Sequence, residues 1–532
     1  MYSEIKLAPR SSRAKPDAIA VFVFDKAKQL PEGYRPLDER VGGALAEAIK
    51  RTEFSAALGV VSTLYPMQGP QRVFVCGLGD PAQFDGNALR AAAAKLTRTA
   101  SGAGVRRLQL AVMPGVGYRL APDQVGAAVG DGFAIAQFEF DQFKGAAAKA
   151  QKQEETNKTP ELTLEVANEL RDAVDEALAV GQAVSTARRL AATPPNVADP
   201  VQVVQEARQM AQRTGLKCSV IDEKKAKELG MGGLVAVGGG GSKPPALICL
   251  EWKGSRQRSR GKKTASRSGG NQGGSASGGA SGGQGPVMLV GKAITFDTGG
   301  YSLKPGGGRD MKYDKCGGMT VLGAMEAVAL LKLPIHVVGL VPVAENMIDE
   351  DAYRVDDILT MHNGVTVEVT NTDAEGRLIL GDALAYGTKR YKPRAVIDLA
   401  TLTGGVVVAL GSFCAGVFCN DDDLRERLQR ASDFTGEKIW PLPLWEEHRG
   451  LLKSNHADIV NAGEREAHPI QGAAFLSYFV GSEGPKGLPT IPWAHFDIAG
   501  VAALKKANNL YPEGPTGYGV RLLTRLLGAW EQ

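Results

Sequence analysis

The chain has no Cys-x-x-Cys pair, no two histidines at a metal-ligand spacing and no apolar run near the roughly 20 residues that a membrane helix needs. Its six cysteines, Cys76, Cys218, Cys249, Cys316, Cys414 and Cys419, are scattered through 532 residues, which argues against a disulfide framework or a zinc finger and for a reduced, cytoplasmic protein. His336, His362, His448, His456, His468 and His495 give no histidine-rich zinc motif. The four glycines at 238–241 are followed by no GK[ST], so a phosphate loop is excluded, and without a G-x-S-x-G elbow a serine hydrolase is disfavoured. The early run AIAVFVF, 18–24, continues into Asp25 and Lys26 rather than a small-residue cleavage site and reads as a buried strand. A net charge of +4 is too balanced to imply nucleic acid or membranes.

What remains is ordinary globular composition, 43% hydrophobic and 23% charged, long enough for two or three domains. Residues 1–160 alternate β-rich runs (AIAVFVF, RVFVCGLG, RLQLAVMPG) with alanine-rich helical stretches, which predicts an α/β domain with a largely parallel sheet. A polar stretch near 149–161 marks its end. Residues 161–195 hold a connecting helix with Leu170, Val174 and Leu178 spaced by four, stopped by Pro194 and Pro195. Residues 196–532 form the larger region. Its strand candidates, ALICLEW, PVMLVG, IHVVGLVPV, AVIDLATLTG and WAHFDIAG, are continuously apolar, as expected of strands covered by helices on both faces.

Residues 253–285 interrupt this region with a Gly/Ser-rich segment that has too few apolar groups to order itself. It carries Lys253, Arg256, Arg258, Arg260, Lys262, Lys263 and Arg267 and no acid, and removing those seven charges from +4 leaves −3. Two readings stand: a solvated, disordered insertion, or an arm for polyanions such as DNA.

The charged constellations lie where apolar strands run out. LVGKAITFDTGGYSLKPGGGRDMKYDKCGG, 289–318, offers Lys292, Asp297, Lys304 and Asp314; VTNTDAEGRLIL, 369–380, offers Asp373, Glu375 and Arg377. Ligands of open α/β sheets bind beyond the carboxyl ends of strands. Four carboxylates converging there need cations, and a pair of divalent ions activating water for hydrolysis fits the inventory. A lysine joins such a set only as a neutral amine, with its pKa driven down by adjacent dications.

VGKAITFDTGG, SLKP, MKYDKCGG and NTDAEGRLIL, in this order, resemble the signature of the leucine aminopeptidase (cytosol aminopeptidase) family of dinuclear metallo-exopeptidases. The resemblance implies that Lys292, Asp297, Asp314, Asp373 and Glu375 ligate two divalent ions, manganese or zinc, with Asp297 and Glu375 bridging. It further implies catalytic roles for Lys304, on the oxyanion, and Arg377, holding a bicarbonate that serves as base to a metal-bridging water. Met311, Leu402 and Gly404 are the implied substrate contacts. The implied activity is release of leucine-like residues from peptides with a free N-terminus, by a homohexamer in the cytoplasm. DNA binding, as an architectural protein or as a second activity, is the alternative. Three departures stand out, the first being the basic insertion 253–285, which has no counterpart in the family pattern. The loop between Lys304 and Asp314 is one residue shorter than the family pattern and richer in glycine, and NAGEREAHPIQGAAFL, 461–476, brings Glu464, Glu466, His468 and Gln471 to a stretch that is usually small and glycine-rich.

Overall fold

The computed structural model of the chain describes residues 1–9, 12–27, 29–112, 119–148, 160–254, 285–481 and 486–531. The first sheet draws on β1 (Glu4–Leu7), β2 (Ala18–Val23), β3 (Val61–Leu64), β4 (Arg72–Gly77), β5 (Arg107–Ala111) and β6 (Glu161–Glu165), in the order β1-β6-β5-β2-β4-β3. Every pairing is parallel except β3 with β4. Along β2 the pleat sends Ala18, Ala20 and Phe22 into one apolar cluster and Ile19, Val21 and Val23 into another. Both faces of this strand are therefore covered, which is why its sequence does not alternate. Leu89, Leu96, Val129, Phe133, Leu170 and Val174, from helices α1 (Gly86–Gly102), α2 (Pro122–Ala136) and α3 (Asn168–Ala192), complete the first of those clusters. The 25-residue α3 ends before Thr193 and the paired prolines and leads into the second region.

There nine strands form one mixed, mainly parallel sheet: β7 (Lys217–Ile221), β8 (Ala246–Trp252), β9 (Val287–Gly291), β10 (Ala293–Asp297), β11 (Val337–Asn346), β14 (Ala395–Ala400), β15 (Ala415–Cys419), β16 (Ile439–Pro441) and β18 (Trp493–Asp497). A smaller sheet joins β12 (Ile358–Thr360), β13 (Thr366–Glu368) and β17 (Ile459–Val460). The central strands β9 and β14 are buried along their whole length. In β9, Val287 and Leu289 enter one core cluster and Met288 and Val290 the other, so helices cover both faces here too. All five continuously apolar runs became strands of this sheet. The basic segment 253–285 falls almost wholly outside the described residues, as does most of the polar stretch 149–161. Among the described residues no helix is long and apolar enough to cross a membrane.

The middle of the large sheet is broken on purpose of geometry rather than of sequence hydrophobicity. β9 pairs with both β14 and β11, the strand is interrupted at Lys292, and β10 then continues beside β11 at Val343 to Asn346. Helix α5 (Cys316–Leu330) presses its first turn onto this break. A Cβ on Gly317 would lie 2.2 Å from the Leu399 carbonyl oxygen, and one on Gly291 would lie 2.4 Å from that of Gly317. Neither contact has room for a side chain.

A buried ionic knot ties the two regions together. Asp131 on α2 accepts from Arg90 Nε at 2.9 Å and from Arg521 Nη1 at 3.0 Å, Arg521 lying on α10 (Val520–Gly528) of the second region. Arg90 Nη2 also donates to the Phe434 carbonyl at 2.7 Å, and Arg521 Nη1 to that of Thr435 at 2.7 Å. Asp131→Ala would leave two guanidiniums buried together without their shared anion, and should destabilise the chain by about 3–5 kcal/mol. Urea unfolding of the variant beside wild type measures this, and a loss under about 1 kcal/mol would show that the pair is screened by solvent.

Candidate metal centre

Each charged side chain of the site is delivered by an element that ends or bends at the same edge of the large sheet. Lys292 occupies the break between β9 and β10, and Asp297 is the last residue of β10. Lys304 follows the turn at Gly299 and Gly300, both at positive φ, where a Cβ would come within 3.0 Å of Asp373 Oδ1 and 2.9 Å of Thr372 Oγ1 respectively. Asp314 sits on a short 3-10 helix, Met311–Lys315, that leads into α5. Asp373 lies in the loop after β13, and Glu375 opens α6 (Glu375–Tyr391), with Arg377 two residues further along its first turn.

These groups meet. Lys292 Nζ lies 2.9 Å from Asp314 Oδ1, 2.8 Å from Glu375 Oε1 and 2.9 Å from the carbonyl oxygen of Thr401. Lys304 Nζ lies 2.8 Å from Asp297 Oδ2 and also pairs with Asp373 Oδ1. One oxygen each of Asp297, Asp373 and Glu375 fall within 4.8 Å of one another. All ten residues singled out from the sequence, Lys292, Asp297, Lys304, Met311, Asp314, Asp373, Glu375, Arg377, Leu402 and Gly404, line one cleft of about 790 Å³.

Three buried carboxylates and the half-buried Asp373, facing two ammonium groups, leave an excess of negative charge, and the protonation equilibria register it. Burial pushes Asp297 up, with the Glu375 carboxylate adding to the effect; burial pushes Asp314 well up and raises Asp373 as well. Burial disfavours the Lys292 charge, yet Asp314 and Glu375 outweigh it and hold the ammonium above its usual range. Lys304 follows the same balance, with Asp297 and Glu375 prevailing over burial. With the protein's own groups alone, Lys292 is thus a cation; the neutral amine of a ligand requires further positive charge beside it.

Asp314 Oδ2 and Glu375 Oε2 are buried and have no hydrogen-bond partner among the described residues. Unpaired buried carboxylate oxygens are costly, and together with an all-oxygen donor set and one amine they fit a pair of hard or borderline divalent ions. Arg377, 2% exposed, donates Nη1 to the Asn461 carbonyl at 2.8 Å, while its Nε is buried without a hydrogen-bond partner among the described residues. Burial pulls its pKa down to about 10, leaving the guanidinium charged at neutral pH.

Several supporting residues carried no signal in charge spacing. Asn346, at the end of β11, donates to Asp297 Oδ1 at 2.7 Å and to the Thr372 carbonyl at 3.0 Å. An amide closing a ten-residue apolar strand was the available clue. Thr401 Oγ1 donates to Asp314 Oδ1 at 2.8 Å, and Asp497, ending β18, receives Leu402 N at 3.1 Å and Thr403 Oγ1 at 2.6 Å, which sets the loop carrying Leu402 and Gly404. Gly376 is the tightest of these: a Cβ there would stand 2.6 Å from Cδ, Cε and Nζ of Lys292. Gly376→Ala should therefore displace the lysine chain and weaken metal binding by about 10- to 100-fold, as loss of a supporting contact does elsewhere. Metal content after dialysis against graded chelator measures this; unaltered metal retention would show that the lysine chain simply moves aside.

The comparisons with known proteins agree with this geometry. Residues 20–147 match the model of the cytosol aminopeptidase family, N-terminal domain, and residues 185–266 and 277–524 match that of the catalytic domain. The chain is 38% identical over 522 residues to a protein of Syntrophotalea carbinolica described as a probable cytosol aminopeptidase, covering 96% of this chain and 97% of that one. A protein of Cenarchaeum symbiosum with the same description is 39% identical, with 87% of each chain covered. Among solved structures, the bottromycin maturation enzyme BotP aligns with a TM-score of 0.78 and 31% identity, covering 97% of this chain and 99% of that one, and a further structure of it is a complex with Mn. With both domains matched and the charged edge of its large sheet intact, the chain belongs to the cytosol aminopeptidase family, whose members are metal-dependent peptidases.

Proposed function

We propose that the protein is an aminopeptidase that removes leucine-like residues from peptides with a free N-terminus, using two divalent metal ions held by Lys292, Asp297, Asp314, Asp373 and Glu375. The observation that carries this reading is the convergence of those five side chains, Lys304 and Arg377 in one cleft, with two buried carboxylate oxygens left unpaired. Manganese is favoured by the Mn complex of BotP, with zinc the other candidate on donor chemistry. Bound divalent ions supply Lewis-acid activation of water and of the scissile carbonyl.

The remaining chemistry belongs to the chain. Lys304 reaches both Asp297 and Asp373, so its ammonium stands at the rim of the carboxylate cluster, where it can donate to the oxyanion that develops as the carbonyl is attacked. Arg377 presents a buried guanidinium edge with Nε free, a fork that fits a planar oxyanion such as bicarbonate, which would take the proton from the attacking water. The acidic cluster draws the peptide's N-terminal amine inward, which restricts cleavage to the first bond. Met311 and Leu402 give the cleft apolar surface for the first side chain, and Gly404, where a Cβ would meet nothing within 4 Å, keeps it open.

Three further properties belong to this reading. A homohexamer agrees with the family resemblance, and exposed Val408, Phe413 and Trp440 offer apolar surface for a partner subunit. A cytoplasmic location agrees with six free cysteines. DNA binding as a second activity rests on the basic segment 253–285 alone, where the catalytic-domain match is itself interrupted at 267–276; nothing in the cleft favours it.

Hydrolysis of leucine-p-nitroanilide should vanish on chelation and return with manganese or zinc, and Glu375→Ala should lower kcat/KM by more than about a hundredfold. A wild-type protein, metal-loaded and folded, that cleaves neither this substrate nor any unblocked dipeptide would sink the reading. Lys304→Ala should reduce kcat by about 10²- to 10³-fold, the range for loss of an oxyanion donor, with metal content retained. If it instead raises KM alone, Lys304 binds substrate and does not act in the transition state.

A further inference from the structure

His468 opens helix α9 (His468–Ser477) and lines the same cleft as Met311, Leu402 and Gly404. It is half-buried, and neither ring nitrogen has a hydrogen-bond partner among the described residues. It belongs neither to the carboxylate and lysine cluster nor to the Arg377 contact, so this imidazole is a group the hydrolytic chemistry does not use.

The fold holds it in place with some care. Gly405 lies directly beneath the ring: a Cβ there would stand 3.0 Å from His468 Nδ1 and 2.8 Å from Pro469 Cδ, so only glycine leaves the imidazole its position. Ala467 takes a left-handed conformation, φ 51°, unusual for a residue with a side chain, to start the helix at His468. The preceding loop is clamped by Gln471, 1% exposed, whose Nε2 donates to the carbonyls of Glu464, at 2.7 Å, and Glu466, while its Oε1 accepts from Gly463 N at 3.1 Å. Leu402 leans on the same helix, since a Cβ on Gly472 would come 2.7 Å from Leu402 Cδ2. The apolar wall and the imidazole are therefore presented by one rigid unit.

Burial, reinforced by the Arg377 charge, lowers the His468 pKa, so the ring is neutral in ordinary buffers. A neutral imidazole carries one N–H donor and one acceptor nitrogen. A leucyl side chain uses neither. Asparagine has the same branched shape and number of heavy atoms as leucine, and its carboxamide can offer either an acceptor to the ring N–H or a donor to the bare ring nitrogen, one hydrogen bond that leucine cannot make.

We infer that His468 is a specificity-determining residue that extends the pocket from leucine to side chains of similar shape bearing a carboxamide, so that peptides beginning with asparagine are substrates. The inference rests on the aminopeptidase reading and adds the class of first residue. Selectivity of this kind arises when a pocket holds a polar group that one of two isosteres can pair with.

The test is kcat/KM for asparaginyl- and leucyl-p-nitroanilide with wild type, His468→Ala and His468→Gln, each metal-loaded and checked for an unchanged melting temperature. His468→Ala should lower the asparagine-to-leucine ratio about tenfold, the value of one well-made hydrogen bond, and His468→Gln, which keeps a donor and an acceptor, should recover part of it. Equal falls for both substrates in both variants would assign His468 a merely structural role and overturn the inference, as would a wild-type enzyme that cleaves the leucyl substrate and leaves the asparaginyl one intact. A wild type that cleaves neither is a different result, because it removes the aminopeptidase reading itself.

Discussion

Four carboxylates, Asp297, Asp314, Asp373 and Glu375, are brought together at the edge of a sheet whose strands are otherwise apolar, and much of the surrounding structure answers to their mutual repulsion. At an effective dielectric of about 20, two unit charges 4 Å apart interact by about 4 kcal/mol, so such a cluster cannot stand uncompensated. The chain supplies two ammonium groups, one on each side: Lys292 between Asp314 and Glu375, Lys304 between Asp297 and Asp373. That division leaves Asp314 Oδ2 and Glu375 Oε2 without a hydrogen-bond partner among the described residues. The protein on its own is therefore a half-neutralised site, and the raised carboxylate pKa values are the thermodynamic expression of what divalent ions would relieve.

Backbone geometry, more than side-chain packing, makes the convergence possible. The interruption of the central strand at Lys292 lets one chain segment contribute a lysine and, five residues later, an aspartate to the same crevice. Close approach of α5 through Gly317 and of α6 through Gly376 then brings Asp314 and Glu375 within reach of that lysine. A methyl group at either glycine would push a helix or the lysine chain out by an ångström or more. The site is thus tuned by residues that carry no functional group.

Legibility in the sequence followed the same line. Strands such as ALICLEW and AVIDLATLTG were readable because burial on both faces leaves a continuous apolar run, and the charged residues were readable because ionisable groups at the ends of such runs are conspicuous. The order of the motifs then pointed to a family that both domain matches bear out. The second coordination layer was not legible: Asn346, Thr401 and Asp497 act through hydrogen bonds set by the tertiary register of β11, β14 and β18, which no local pattern encodes. The ionic knot of Arg90, Asp131 and Arg521 was invisible for the same reason, since its members are up to 431 positions apart and each resembles an ordinary helix-surface charge in sequence.

That knot and the cleft illustrate two different uses of buried charge. Around Asp131 two guanidiniums share one carboxylate and also donate to the Phe434 and Thr435 carbonyls, and Arg521 Nη2 reaches Glu437 and the Tyr511 hydroxyl as well. Its function is fixed geometry between the two regions, and it gains nothing from an added ion. In the cleft, by contrast, completion is withheld, with Arg377 Nε and two carboxylate oxygens unpaired behind a wall that Gln471 and Gly405 hold stiff. Incomplete pairing is tolerable only inside a framework that cannot collapse to satisfy it. The doubly covered sheet, the glycine contacts and the interdomain ionic tie are what keep the cleft from closing on its own charges, and so keep it available to metal and substrate.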